Sequence, residues 1–241
     1  MRKIFSIVLK YLIALTSLLG VTLSLFFAQR DNYSFWYKRL YYFTGQSNIW
    51  IGITCLVLAI MLTVKHATKK DFVKNYMYTL KFVFTISITI TGLVFCTLLA
   101  PFAAGEINAW SFSSLLTHVF TPILAIIDFF VDDFAYIFSK KHLFFSTLPP
   151  LLYMIFSMIL SLFNVDFGRG LAYPYFFLNI KSPEGFFGFS GQRPFVMGTF
   201  YWLLFMLGLI LGIAFLYTKI HPNSVRLRKQ KKLENNKNKN F

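Results

Sequence analysis

The sequence predicts an all-α polytopic membrane protein, a bundle of six transmembrane helices, and three observations predict it. The chain is 56% hydrophobic and 20% aromatic but only 14% charged, too little polar composition to cover a soluble domain of this size. Six apolar windows, 4–27, 41–64, 78–100, 112–131, 144–164 and 195–217, reach the roughly 20 residues a helix needs to cross a bilayer. The alternating apolar and polar segments of a membrane barrel are absent.

The first window follows Arg2 and Lys3 as a secretory signal would. Its apolar run exceeds the roughly 7–15 residues of a signal core and ends on no small-x-small cleavage pattern, so it is expected to remain as the first helix. The second opens on Tyr41-Tyr42-Phe43-Thr44-Gly45-Gln46-Ser47-Asn48, and the fourth carries His118, Pro122 and Asp128. Lys10 and Lys81 stand near the ends of the first and third windows, where long side chains can snorkel to the interface. In the fifth, Pro149-Pro150 leaves about 15 unbroken residues, roughly 23 Å of helix, which predicts a kink or a short, tilted span. Cys55 and Cys96 both fall inside windows and read as buried free thiols, without disulfide or metal-ligand spacing.

Orientation follows from the basic residues of the short loops. With six helices, sixteen Lys and Arg share the side of the N-terminus, the 65–77 loop, the 132–143 loop and the C-terminal tail, against six on the other side. Both termini are therefore expected in the cytoplasm, the long 165–194 loop outside, and the protein in the cell membrane. Residues 1–218 form the membrane domain, and 219–241 form a basic cytoplasmic tail read as disordered and attracted to anionic lipid, or as a simple stop-transfer signal. The net charge of +15 reflects membrane orientation and implies no nucleic acid partner.

The candidate chemistry lies on the second and fourth helices, which enter from the same side. Thr44, Ser47 and Asn48, spaced i, i+3 and i+4, share one helix face, and three hydrogen-bonding side chains belong toward the bundle interior. Thr44 could cap the helix while Ser47 and Asn48 bind a neighbouring helix. As a nucleophile, Thr44 needs a base within about 2.6–3.2 Å. His118 is at matching depth, about six residues inside its helix. Desolvation favours its neutral form, which can accept a proton, although a packed core His is the competing reading. Pro122, at i+4, withholds the partner of the His118 carbonyl and predicts a kink there. Asp128 is too far along the helix to complete a triad with His118, about 15 Å of rise, and is expected to pair at the interface with Lys140 or Lys141. Any partner orienting His118 is expected from another helix.

The 165–194 loop is rich in Phe, Tyr and Gly and reads either as a lid or wall over the site or as an interfacial aromatic belt. Its Gly188-Phe189-Ser190-Gly191 has the form of an intramembrane serine protease motif, but no His accompanies it on the sixth helix. Bis-His haem ligation needs paired intramembrane His, and only His118 falls within a window. No cofactor or metal is expected.

Phe43-Thr44-x-Gln46-Ser47-Asn48, His118-x-x-x-Pro122 with Asp128, and Tyr173-Pro174-Tyr175-x-Phe177-Leu178-Asn179 together resemble the bacterial branch of the androgen-induced-gene family, six-span membrane proteins whose animal members include the androgen-dependent regulator of tissue factor pathway inhibitor. The resemblance implies a threonine hydrolase of fatty acid esters of hydroxy fatty acids, with Thr44 as nucleophile and His118 as base. Gly45-Gln46-Ser47-Asn48 departs from the animal pattern. Within that reading Ser47 and Asn48 are the candidate substrate-binding or oxyanion residues, and the partners are membrane lipids and a lipid ester. The alternative is a non-catalytic membrane protein that binds or transports a lipid or small amphiphile.

Overall fold

The computed structural model describes residues 2–102, 109–131, 138–168, 170–190, 196–223, 225 and 230. It is 78% helical, with no strand among the described residues. Six helices are long and apolar enough to cross a membrane, so the all-α six-helix bundle read from composition is the fold observed. They are α1 (Arg2–Phe26), α2 (Phe43–Thr68), α3 (Asn75–Leu99), α4 (Phe112–Val131), α5 (Lys140–Leu162) and α6 (Thr199–Ile220). Most of the basic tail beyond Asn223 lies outside the described residues, as does Asp132.

α3 is the hub. It packs against α2, α4 and α5, while α1 lies along α2 and α4, and α6 closes against α5. Small residues set these approaches, as they do where lipid offers no hydrophobic drive between helices. A methyl added at Gly20 of α1 would sit 2.7 Å from Thr117 Cγ2 of α4. One added at Gly92 of α3 would sit 2.9 Å from both the His118 carbonyl oxygen and the Pro122 ring. These two glycines bring α1 and α3 onto the same turn of α4, the turn that carries His118.

α5 differs from the expected short span. Ser139 and His142 form a capping box at its start: the Ser139 N–H donates to His142 Nδ1 at 2.8 Å. The helix therefore begins at Lys140, upstream of the apolar window, and runs through both prolines for 23 residues, about 34 Å. Pro149 and Pro150 withhold the helical partners of the Phe145 and Ser146 carbonyls; just before that gap, the Ser146 and Thr147 hydroxyls donate to the carbonyls of Leu143 and Phe144, each at 2.7 Å. A hydropathy window starts at the first apolar run and misses a charged, capped first turn.

Asp128 is also placed differently. Its carboxylate contacts Lys10 Nζ at 3.0 Å and Lys81 Nζ at 2.5 Å, and all three side chains are at most 1% exposed. Ser6 donates to the same carboxylate at 2.8 Å. Lys10 and Lys81 thus turn inward to a shared carboxylate instead of snorkelling, and Asp128 is not paired with Lys140 or Lys141. Which helix faces meet is a tertiary fact, and the spacing along a single helix does not contain it. The thiols divide as well: Cys55 is buried, whereas Cys96 is exposed on the outer face of α3.

Candidate active site

Thr44 is the second residue of α2. Tyr42 occupies the cap position, in extended conformation and without a side-chain cap, so the Thr44 hydroxyl is not spent on its own helix. It meets His118 instead, with Thr44 Oγ1 3.1 Å from His118 Nε2. Both residues are half-buried.

The local structure of α4 explains how His118 is held. Ser111 caps the helix, its hydroxyl accepting from the Ser114 N–H. The helix then widens into a π turn over Leu116–Phe120, in which the Thr121 N–H bonds to the Leu116 carbonyl. This turn lies immediately before Pro122, where the sequence predicts a break in the regular helix. It strands the Thr117 carbonyl, because Thr121 N–H is bonded to Leu116 and Pro122 has no N–H to give. Asn48 repairs the gap: its Nδ2 donates to Thr117 O at 3.1 Å and to Thr44 O at 2.9 Å.

His118 Nδ1 lies 3.0 Å from the Ser114 carbonyl oxygen, with the Ser114 and Thr117 hydroxyls at 3.1 and 3.2 Å. A carbonyl only accepts, so Nδ1 carries the proton and Nε2 presents its lone pair to Thr44. The orienting partner comes from the same helix one turn back, not from another helix. Phe95, in a second π turn that ends α3, stacks on the imidazole with centroids 3.8 Å apart and fixes the ring plane.

Ser47 and Asn48 are placed differently from the expectation that they face a substrate. Both are fully buried. Ser47 Oγ lies 2.8 Å from Thr91 Oγ1 of α3, the Asn48 Nδ2 group is given to the two carbonyls, and neither residue lines the two cavities that have Thr44 in their walls. Side chains on a helix lean toward its N-terminus, which carries the Asn48 amide beneath the carbonyl of Thr44 and away from its hydroxyl.

Sequence reasoning missed one residue at the site. Tyr175, on the loop between α5 and α6, stands against Thr44. Burial pushes its phenol up to about 12, against the opposing influence of the Thr44 hydroxyl and the backbone N–H groups of Thr44 and Phe43. The phenol is thus a protonated donor at neutral pH. The available signal was Tyr173-Pro174-Tyr175 in the loop already suspected of covering the site. The other half of that loop is peripheral, with Phe187 and Phe189 more than 60% exposed.

Two cavities share Thr44, Leu99 and Tyr175 in their walls. The larger, about 340 Å³, includes His118, Ser111, Ser114, Tyr173 and the ion-paired Asp31 and Arg39. Arg39 also lies 4.2 Å over the Tyr33 ring. The smaller, about 60 Å³, is lined almost wholly by apolar side chains from α2, α3, α5, α6 and the loop.

Fold and site together define a class: a polytopic helical membrane protein with a hydroxyl–imidazole pair inside the bundle, where a larger cavity of mixed lining meets a small apolar one. Compared with models of known protein families, with curated proteins and with solved structures, the chain finds no match.

Proposed function

We propose that the protein is an integral membrane hydrolase of lipid esters, with Thr44 as nucleophile and His118 as its base. The observation that carries the reading is the 3.1 Å contact from Thr44 Oγ1 to an imidazole nitrogen whose opposite nitrogen is held by a carbonyl, the relation between nucleophile, base and orienting group that activates a hydroxyl. Thr44 Oγ1 bonds to the ester carbonyl carbon as its proton passes to Nε2. The oxyanion of the tetrahedral intermediate forms beside the Tyr175 phenol, which donates to it. Collapse breaks the bond to the alcohol oxygen, and that oxygen takes the proton from His118. Water, deprotonated by the same nitrogen, then releases the acid from Thr44. Fatty acid esters of hydroxy fatty acids are the substrates implied by the family resemblance. The bundle sits in the cell membrane with both termini cytoplasmic, which puts the site toward the outer leaflet.

The test is hydrolysis of a panel of long-chain fatty acid esters by purified protein. Thr44→Ala and His118→Ala should each lower turnover about 10³-fold or more, and the double variant should be no worse than either, since residues acting as a unit are non-additive. Thr44→Ser keeps the hydroxyl and should retain activity. A wild-type protein that turns over no ester and forms no Thr44 adduct, or alanine variants that remain active, would leave the cavities to a lipid-binding or lipid-transporting role.

A further inference from the structure

The two cavities meeting at Thr44 differ in size, polarity and access to the base. We infer that they divide the substrate: the acyl chain enters the small apolar cavity, the alcohol half occupies the larger chamber of mixed lining beside His118, and Met206 and Ile210 of α6 set the length of chain accepted. This rests on the hydrolase reading above and goes beyond it by assigning each half of the ester a place.

The direction of the ester follows from where the proton must go. The alcohol oxygen leaves only when protonated, and the donor is His118 Nε2. His118 lines the larger cavity and not the smaller, so the alcohol half lies on that side. The acyl half stays bonded to Thr44 Oγ1 while the alcohol departs, and it must rest where water does not compete for its chain. The apolar cavity has Thr44 in its wall as well. The volumes agree in order, since about 340 Å³ beside His118 takes the bulkier alcohol half and about 60 Å³ on the other side takes the first carbons of a thin chain. The polar walls agree as well: Ser111, Ser114, Tyr173 and the Asp31–Arg39 pair face only the alcohol chamber.

Length selection falls to α6. That helix packs on α5, on the Phe176–Leu178 turn of the loop and on α3, while Thr44 is carried by α2. Met206 and Ile210, one turn apart, are 5% and 2% exposed and both line the apolar cavity. A larger side chain at either position takes space from the cavity that a chain extending past its first carbons has to cross.

The experiment compares two pairs of esters with purified full-length protein in mixed micelles: butanoyl and dodecanoyl esters of one alcohol, and butyl and dodecyl esters of acetic acid. Met206→Trp and Ile210→Phe should each lower the dodecanoyl-to-butanoyl ratio of kcat/KM by about tenfold or more, the scale on which an apolar pocket discriminates chain length. They should change the dodecyl-to-butyl ratio by less than about twofold. Leu207→Trp, on the exposed face one residue away, is the control for a general effect of tryptophan on α6 and should move neither ratio. If both variants discriminate on the alcohol chain instead, or if neither ratio moves in a variant that still turns over, the assignment is overturned while the hydrolase reading stands. An inert wild type overturns both.

Discussion

At the scale of single residues, the pairing of Thr44 with His118 was readable because both sit at the same depth on helices that enter from the same side. The contact adds the tautomer, fixed by the Ser114 carbonyl at Nδ1. Ser47 and Asn48 face inward and bind neighbouring helices, the packing alternative that the sequence offers beside an oxyanion role. Asn48 is a packing residue whose partner, the Thr117 carbonyl, exists only because a π turn strands it. Removing it leaves a buried carbonyl unsatisfied, at a cost of about 1–3 kcal/mol. Asn48→Ala should therefore lower the thermal midpoint in detergent. Well below that midpoint, labelling of Thr44 by a long-chain fluorophosphonate should stay within about threefold of wild type. An unchanged midpoint would show that Asn48 is not the staple described here, and loss of labelling in a folded protein would return it to the reaction site.

At the scale of elements, Pro122 and the capped start of α5 show how local signals become geometry. A proline in a membrane helix frees a carbonyl, and here the helix answers with a π turn that Gly92 and Asn48 accommodate from two neighbours. The Lys10–Asp128–Lys81 cluster ties α1, α3 and α4 together without exposure to solvent. Removing only the carboxylate leaves two ammonium groups buried against each other, whereas replacing the whole cluster removes the charges together. Asp128→Ala should destabilise the fold by about 3–5 kcal/mol, seen as lost thermal stability or lost monodisperse protein in detergent. The triple replacement Lys10→Met, Asp128→Leu, Lys81→Met should recover much of that loss. An Asp128→Ala protein as stable as wild type would mean that the cluster does not hold these helices.

At the scale of the whole molecule, the asymmetry of Lys and Arg, sixteen against six across the predicted loops, sets the expected orientation. In a background with Cys55 and Cys96 replaced, a cysteine at Ser34, before α2, should react with an impermeant maleimide in intact cells. One at Thr68, at the end of α2, should react only after the membrane is opened. Both positions are exposed. The reverse pattern would put the Thr–His site in the cytoplasmic half. The sequence by itself determined what depends on composition and on depth along a helix: six apolar spans, the end of the bundle at which Thr44 and His118 lie, and an aromatic loop able to cover it. Only the tertiary structure decided what depends on helix rotation and contact. It turned Lys10 and Lys81 inward onto Asp128, gave Asn48 to a stranded carbonyl, delivered Tyr175 to Thr44, and set a cavity of mixed lining and a small apolar one against Thr44. Hydropathy averages over all faces of a helix, so it finds the spans; which faces meet is fixed by the packing of neighbours far apart in the chain.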